Sequence, residues 1–198
     1  MGLTEKAPRF SWKIESTIDT DAPEITEGNV IVKDFDKAVL TAQENEPVRI
    51  TEKIVGKELI VTSKGEKFID FGQIVTGVVE VHVKGEKGQK IVLRHAEVLD
   101  KDGNFYPETL RQAKSIDTFI CNGEEQIFRP HFTFHGFRYI SVEGMEEFTA
   151  DQFFACVIHS DMEKTGDFPC SNIKVNKLQS NIIWSQRDNF LIFHGLWR

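Results

Sequence analysis

The sequence predicts a mainly β protein, an antiparallel β-sandwich of the jelly-roll type followed by a C-terminal α-helix. From Pro47 onward, more than a hundred residues form short apolar or alternating stretches that are separated by turn signals, with no helical period between them. Many short strands at nearly regular spacing are typical of sandwiches and jelly rolls. Near Ser171 the period changes to that of a helix, over residues 172–189.

These changes of pattern divide the chain into three parts. Residues 1–46 predict an N-terminal segment with a loop and short strands. Residues 47–160 predict the β-sandwich domain, and 161–198 a linker strand followed by the C-terminal helix. The whole chain of 198 residues is long enough to bury a sizeable core.

Nine strands are predicted within the sandwich, bounded by turn residues such as Asp102-Gly103 and Asn122-Gly123. They span 48–55, 58–62, 67–71, 77–84, 90–98, 115–121, 126–129, 132–142 and 152–159. Strand 77–84 alternates most regularly, since Val79, Val81 and Val83 alternate with other residues as in a half-buried strand.

Composition argues against several classes of partner. A net charge of −7 disfavours nucleic acid, because binding to phosphates needs clustered Lys and Arg. We expect no membrane partner, since no apolar run approaches the length of a membrane span, and the first ten residues lack a signal-peptide core. The three cysteines, Cys121, Cys156 and Cys170, have no metal-binding spacing and leave an odd thiol. We therefore expect reduced cysteines and a cytoplasmic location.

The segment 131–144, HFTFHGFRYISVEG, alternates with period two and is the candidate binding segment. One predicted face is core, with Arg138 as its exception; it carries Phe132, Phe134, Ile140 and Val142. The other face is polar and aromatic. Gly136 predicts a bulge or a close approach of another backbone. Arg138 must either pair with a carboxylate inside or turn outward at such a bulge, and we favour the buried pair.

Short motifs in the chain do not assemble an active site. Asp70-Phe71-Gly72 lacks every companion motif of a kinase, and the Asp100–Asn104 stretch lacks the spacing of a calcium loop, which predicts a turn instead. His131 and His135 could bind a metal ion with His95 or Glu97, but without a fourth ligand we predict no metal site and no cofactor. Glycosidases use paired carboxylates, for which the candidates are Asp70, Glu97, Glu108 and Asp117. Nothing places two of these opposite each other.

Four stretches in order resemble the bacterial α-L-rhamnosidases, glycoside hydrolases that remove terminal L-rhamnose. They are DFGQIVTGVVEV (70–81), LRHAEVLDKDGNFYPETLRQAKSIDTFICNG (93–123), FRPHFTFHGFRYISVEG (128–144) and VIHSDMEKTGDFPCSNIKVNKLQSNIIWSQRDNF (157–190). The resemblance implies a concanavalin-like β-sandwich, followed by the first helix of an (α/α)₆ barrel that carries the catalysis.

The chain departs from this family at its end. The family continues after the W-S-Q-R helix with a stretch like V-P-T-D-C-P-Q-R-D-E-R-L-G-W-T-G-D, which carries acidic catalytic residues, whereas this chain reads IFHGLWR. Ile74 also stands where the family usually has Asn. The resemblance therefore transfers no catalytic residue, and we expect a truncated accessory domain that is inactive alone.

The alternative is a carbohydrate-binding module that recognises rhamnose-type sugars. Aromatic rings can cover the apolar face of a sugar, and Arg and His can donate to its hydroxyls. The candidate substrate-binding residues are His135, Phe137, Arg138 and Tyr139. An active hydrolase built from the sandwich carboxylates is a third hypothesis, for which the sequence supplies no assembled site.

The C-terminal helix predicts self-association. Its N-cap is predicted at Ser171, and one apolar stripe is expected to lie on the sandwich: Val175, Leu178, Ile182, Ile183 and Phe190. The other side carries Ile173, Trp184 and Leu191, and the nearby Phe193, Leu196 and Trp197 extend it. Because exposed apolar patches seek partners, we expect a homo-oligomer formed through this helix.

Overall fold

The computed structural model describes residues 46–62 and 65–191, which belong to one compact unit that begins at Asn45. The strands predicted in the N-terminal segment lie outside the described residues. So do Phe193, Leu196 and Trp197, which were predicted to extend one apolar side of the helix. Among the residues that are described, no helix is both long and apolar enough to span a membrane.

The described chain folds into ten strands and one α-helix. The strands are β1 (Val48–Val55), β2 (Glu58–Val61), β3 (Lys67–Lys84), β4 (Lys90–Ala96), β5 (Val98–Leu99), β6 (Phe105–Tyr106), β7 (Ile116–Ile120), β8 (Glu125–Phe128), β9 (His135–Glu143) and β10 (Phe153–Ser160). The helix is α1 (Ile173–Asn189), and short 3₁₀ turns occupy Glu108–Leu110 and Ala150–Gln152.

Eight of these strands form one curled, antiparallel sheet in the order β1-β10-β3-β9-β4-β7, in which β2 and β8 also pair with β3. Strands β5 and β6 form a separate hairpin. The core lies within the curl and includes fully buried Ile69, Leu93 and Phe153. The predicted fold class, mainly antiparallel β with a C-terminal helix, is confirmed.

Strand β3 is the long central strand of the sheet. The prediction of two strands here, 67–71 and 77–84, was wrong, since 18 residues run without a break. The register between β3 and β9 shifts between Asp70 and Val75, so the β3 residues 71–74 bulge opposite Arg138. Gly72 in this bulge has φ 77°, a left-handed conformation that glycine adopts without steric cost.

Gly136 is therefore not the site of the bulge. A Cβ atom at this position would lie 3.1 Å from the Glu97 Oε1 atom, so the glycine makes room for a carboxylate. The predicted close approach exists, but a side chain makes it rather than a backbone.

The start of β9 also differs from the prediction. The strand begins at His135, and residues 129–134 leave the sheet between β8 and β9, both of which pair with β3. Phe132 is consequently 95% exposed and Phe134 39% exposed, whereas Ile140 on the same predicted face is fully buried. The alternation in the sequence therefore begins before the residues of β9 that pair with β3.

Asp70 and Arg138 form an ion pair across the bulge. Arg138 Nε and Nη2 each donate to an Asp70 oxygen at 2.8 Å, and the Gly72 N–H donates to the same carboxylate at 2.6 Å. The predicted pairing of Arg138 with a carboxylate is confirmed. Asp70 is buried, but the Arg138 side chain remains 36% exposed at the rim.

Helix α1 packs on β3 and β10, but neither of the two predicted sides faces the sheet as a whole. Of the stripe predicted to lie on the sandwich, Val175, Leu178 and Ile182 are 37%, 58% and 52% exposed, whereas Ile183 and Phe190 are half-buried. Of the other side, Trp184 packs against the core, whereas Ile173 is 83% exposed. The sequence shows apolar residues on two sides of the helix, but the contact that fixes the orientation of the helix on the sheet comes from a residue far away in the sequence. Thr76 donates its N–H to Asp188 Oδ1 and its hydroxyl to the Asp188 carbonyl, both at 2.9 Å.

The N-cap of α1 is Asn172, not the predicted Ser171. Its side-chain oxygen accepts from the N–H groups of Lys174 and Val175 at the first turn. Asparagine and serine are nearly equivalent as N-caps, so adjacent candidates cannot be separated by residue type.

Replacing Arg138 with alanine should lower the free energy of unfolding by about 2–4 kcal/mol, because the buried Asp70 carboxylate loses both charge-assisted bonds. Urea unfolding measures this loss. The matched control is Arg94→Ala, whose partner Glu143 is 55% exposed, and it should cost less than about 1 kcal/mol. Equal losses in the two variants would contradict the prediction.

Val175, Leu178 and Ile182 form an exposed apolar row on α1, and we therefore still expect the chain to associate through this helix. Light scattering at tens of micromolar should show an oligomer for the wild-type chain and a monomer for Leu178→Glu, because a buried unpaired carboxylate opposes the contact. Lys177→Glu, an exposed neighbour off this row, should leave the oligomer intact. A monomeric wild-type chain would refute self-association.

Candidate functional site

The four residues predicted to bind substrate all lie on β9, but they do not form one exposed surface. Phe137 is fully buried and Tyr139 is 7% exposed, while the His135 side chain is 9% exposed. Phe137 is covered by Phe71 from the β3 bulge, with ring centroids 5.6 Å apart, and by the His95 ring at 5.0 Å. The bulge therefore closes the face that the sequence pattern suggested was open.

Arg138 is the most accessible of the four, and its charge is already paired. Its guanidinium group bonds to Asp70 and lies over the Tyr139 ring, 4.9 Å from the centroid. Burial by itself raises the pKa of Asp70, yet the bonds from Arg138 and the Gly72 N–H outweigh it and hold that pKa below 3.8. The pair is thus charged at neutral pH.

Two motif interpretations can be compared with the structure. In the Asp-Phe-Gly triplet, the Asp70 carboxylate accepts hydrogen bonds from the Arg138 side chain and the Gly72 N–H. Asp100 forms the predicted turn, since its Oδ1 atom accepts from the N–H groups of Asp102 and Asn104. These contacts are local turn chemistry.

His95, Asp117 and His135 come together from three neighbouring strands, β4, β7 and β9. His135 Nε2 lies 3.1 Å from Asp117 Oδ1, and His95 Nε2 lies 3.7 Å from Asp117 Oδ2. The two imidazole rings are 4.3 Å apart between centroids. His131 is exposed and takes no part in this grouping, contrary to the pairing considered from the sequence.

The carboxylates singled out in the sequence are dispersed. Asp70 pairs with Arg138, Asp117 lies between two histidines, Glu97 lies over Gly136, and Glu108 is exposed in a 3₁₀ turn. The sequence did not indicate Glu80, a buried residue that accepts from Lys53 at 2.8 and 2.9 Å and from Arg129 at 3.4 Å. Lys53 and Arg129 lie 27 and 49 positions away, so no local signal identifies them. A third partner, His82 at 3.1 Å, is only two positions away on the same strand.

Asp188 was also missed, although its pKa is shifted in the direction that favours a general acid. Burial raises the pKa of Asp188 above 3.8 and the charge of Glu97 adds to this rise, while the Thr76 N–H opposes it. Its partner Thr76 is 112 positions away in the sequence.

A groove of about 650 Å³ lies between the linker after β10 and α1. Phe168 and Trp184 supply aromatic surface, and Asn176, Gln179 and Arg187 supply hydrogen-bonding groups. The Arg187 guanidinium lies over the Trp184 ring, 5.0 Å from its centroid. None of these groove residues was predicted as a ligand.

The chain is similar to proteins called α-L-rhamnosidases. It is 38% identical over 154 residues to the α-L-rhamnosidase of Streptomyces avermitilis, an alignment that covers 77% of this chain and 15% of that protein. The enzyme of Alteromonas sp. (strain LOR) is 36% identical over 148 residues, covering 73% of this chain and 16% of the relative. The chain thus spans about one sixth of the length of these relatives.

Solved structures show the same relationship. The crystal structure of the native α-L-rhamnosidase from Aspergillus terreus matches with a TM-score of 0.75 at 40% identity, over 80% of this chain and 19% of that one. The Streptomyces avermitilis enzyme complexed with L-rhamnose matches with a TM-score of 0.73. The family model of the bacterial α-L-rhamnosidase concanavalin-like domain matches residues 60–159, just over half of the chain. The chain therefore belongs to the family of the bacterial α-L-rhamnosidase concanavalin-like domain.

Proposed function

We propose that this chain is an accessory β-domain of an α-L-rhamnosidase-like glycoside hydrolase, without hydrolytic activity of its own. Its family and its similarity to one sixth of longer α-L-rhamnosidases support an accessory role. The observation that carries the proposal is that the buried carboxylates of the domain are engaged by partners within the domain itself.

Glycoside hydrolysis needs a protonated carboxylic acid and a second carboxylate facing it across about 5–9.5 Å. Asp70 and Glu80 are unsuited to be the general acid, because cationic and hydrogen-bonding partners outweigh burial, hold both pKa values below their ordinary range and keep both groups deprotonated at neutral pH. Asp117 is enclosed by two imidazoles. Asp70 and Glu80 are thus engaged in ion pairs within the sheet, and Asp117 is engaged by histidines, so none of the three is available to a substrate as a protonated acid.

Asp188 and Glu97 are the strongest rivals to this proposal. The pKa of Asp188 is raised, which is the direction that favours a general acid, and Glu97 is a carboxylate close enough to contribute to the rise. However, the Asp188 side chain accepts the Thr76 N–H and its main chain accepts the Thr76 hydroxyl, which fixes α1 to β3. This arrangement gives Asp188 a structural role.

The purified chain should not release the aryl group from an aryl α-L-rhamnoside above the buffer rate, since general acid–base catalysis worth about 10²–10⁴-fold per group is missing. A chromogenic assay at several pH values measures this. Turnover that disappears in Asp188→Asn or Glu97→Gln would refute the proposal. Turnover that both variants retain would indicate a contaminating enzyme.

Carbohydrate binding is the second candidate function. The groove beside α1 is a better candidate site for it than the β9 residues, which are mostly buried. Phe168 is 60% exposed and lies in the same groove as the polar side chains of Asn176 and Gln179. Such combinations suit a sugar ring, which has an apolar face and a rim of hydroxyls.

Calorimetric titration with L-rhamnose tests this second function. Binding should weaken at least about fivefold in Phe168→Ala, because loss of a stacking ring costs about 1 kcal/mol or more. Phe132→Ala provides the matched control, since Phe132 is an exposed phenylalanine outside the groove. Equal heats for both variants, or none for the wild-type chain, would exclude the groove as a rhamnose site.

A further inference from the structure

The grouping of His95, Asp117 and His135 has an imbalance of donors and acceptors. His95 Nδ1 lies 3.0 Å from the Ser115 carbonyl oxygen, which can only accept, so the ring proton is on Nδ1. In the neutral ring, Nε2 then carries a lone pair. This atom faces Asp117 Oδ2 at 3.7 Å, and both atoms are buried without a hydrogen-bond partner among the described residues.

Two buried acceptors that face each other need a positive or donating group between them, because each would otherwise bear its full desolvation cost. A proton on His95 Nε2 would not fill this role in the observed geometry, because 3.7 Å is longer than a hydrogen bond between a nitrogen and an oxygen atom. The geometry therefore points to a group from outside the side chains.

The distance between the two acceptor atoms distinguishes a bridging water molecule from a bridging metal ion. A water that donates to two acceptors, each about 2.8 Å away, holds them roughly 4.4 Å apart at its own bond angle. Two ligands of a tetrahedral zinc ion, each about 2.0–2.1 Å from the metal, lie about 3.3 Å apart. The observed distance of 3.7 Å between His95 Nε2 and Asp117 Oδ2 is closer to the metal value than to the water value. The 3.1 Å contact between His135 Nε2 and Asp117 Oδ1 is a direct hydrogen bond.

The donor types also select a class of ion. Two imidazole nitrogens and one carboxylate oxygen suit Zn²⁺, Fe²⁺ and related ions, whereas Ca²⁺ and Mg²⁺ prefer oxygen ligands alone. All three donor atoms lie within 4.8 Å of one another, which small side-chain rotations can reduce to coordination distances. The Ser115 carbonyl already accepts from His95 Nδ1, a contact that commonly orients an imidazole ring whose other nitrogen binds a metal ion.

We propose that His95, Asp117 and His135 bind one divalent transition-metal ion, with Zn²⁺ as the ion tested. His95 and His135 coordinate through Nε2, and Asp117 coordinates through its carboxylate. The ring proton of His135 moves from Nε2 to Nδ1 when the metal binds. Three protein ligands leave a fourth position open, and the ion joins strands β4, β7 and β9.

Equilibrium dialysis of the untagged chain against Zn²⁺, followed by elemental analysis, should give one ion per chain. His135→Gln should weaken this binding at least about tenfold, as the loss of a metal ligand does. His131→Gln is the matched control, because His131 is exposed and lies only four positions away, and it should bind as the wild-type chain does. Zinc retention by His135→Gln equal to that of the wild type would refute the site, and so would a wild-type chain that retains none.

Nuclear magnetic resonance of the wild-type chain tests the site even where His135→Gln fails to fold. Zn²⁺ should shift the ring signals of His95 and His135 and fix both as Nδ1–H tautomers. Shifts confined to His82, His131 or His159 would place the ion elsewhere and overturn the proposal.

Discussion

The ion pair between Asp70 and Arg138 is the interaction on which the centre of the sheet depends. It closes the β3 bulge, in which residues 71–74 lie opposite Arg138. The bulge packs Phe71 on Phe137, and β3 then resumes its pairing with Val75, next to the Thr76 that anchors α1. One carboxylate therefore connects the central strand, the buried face of β9 and the position of the helix. Because Asp70 is charged, this support is fully present above its unfolded pKa and is lost as the pH falls through the depressed folded value.

Local patterns in the sequence are sufficient for much of the fold. The predicted bounds of β1, 48–55, match the strand because period-two alternation and the glycine after it are local signals. Contacts between distant positions are not encoded in that way. The start of β9 depends on where β3 stops pairing, and the side of α1 that faces the sheet depends on Thr76. The partner of Arg138 illustrates both cases, since an apolar face around Arg138 predicted a carboxylate, but only the fold identified Asp70.

The candidate sites were less predictable than the strands for the same reason. Alternation placed His135 and Phe137 on a common face, but it could not show that Phe71 and His95 would cover that face. By sequence Asp117 is one of four candidate carboxylates, and only the fold shows that it lies beside two histidines. The groove beside α1 likewise joins the linker to a helix face. An accessory domain fits this distribution, because its polar groups serve strand pairing, helix attachment and a proposed metal site.

The most direct test of the central role of Asp70 is its own titration, followed through the side-chain carboxyl ¹³C resonance of the folded wild-type chain. The account predicts a midpoint below 3.8, because the bonds from Arg138 and Gly72 outweigh the effect of burial. It also predicts that the amide signal of Gly72, which donates to this carboxylate, shifts with the same midpoint. A midpoint at or above 3.8 would contradict it, since the carboxylate would then be buried without effective partners.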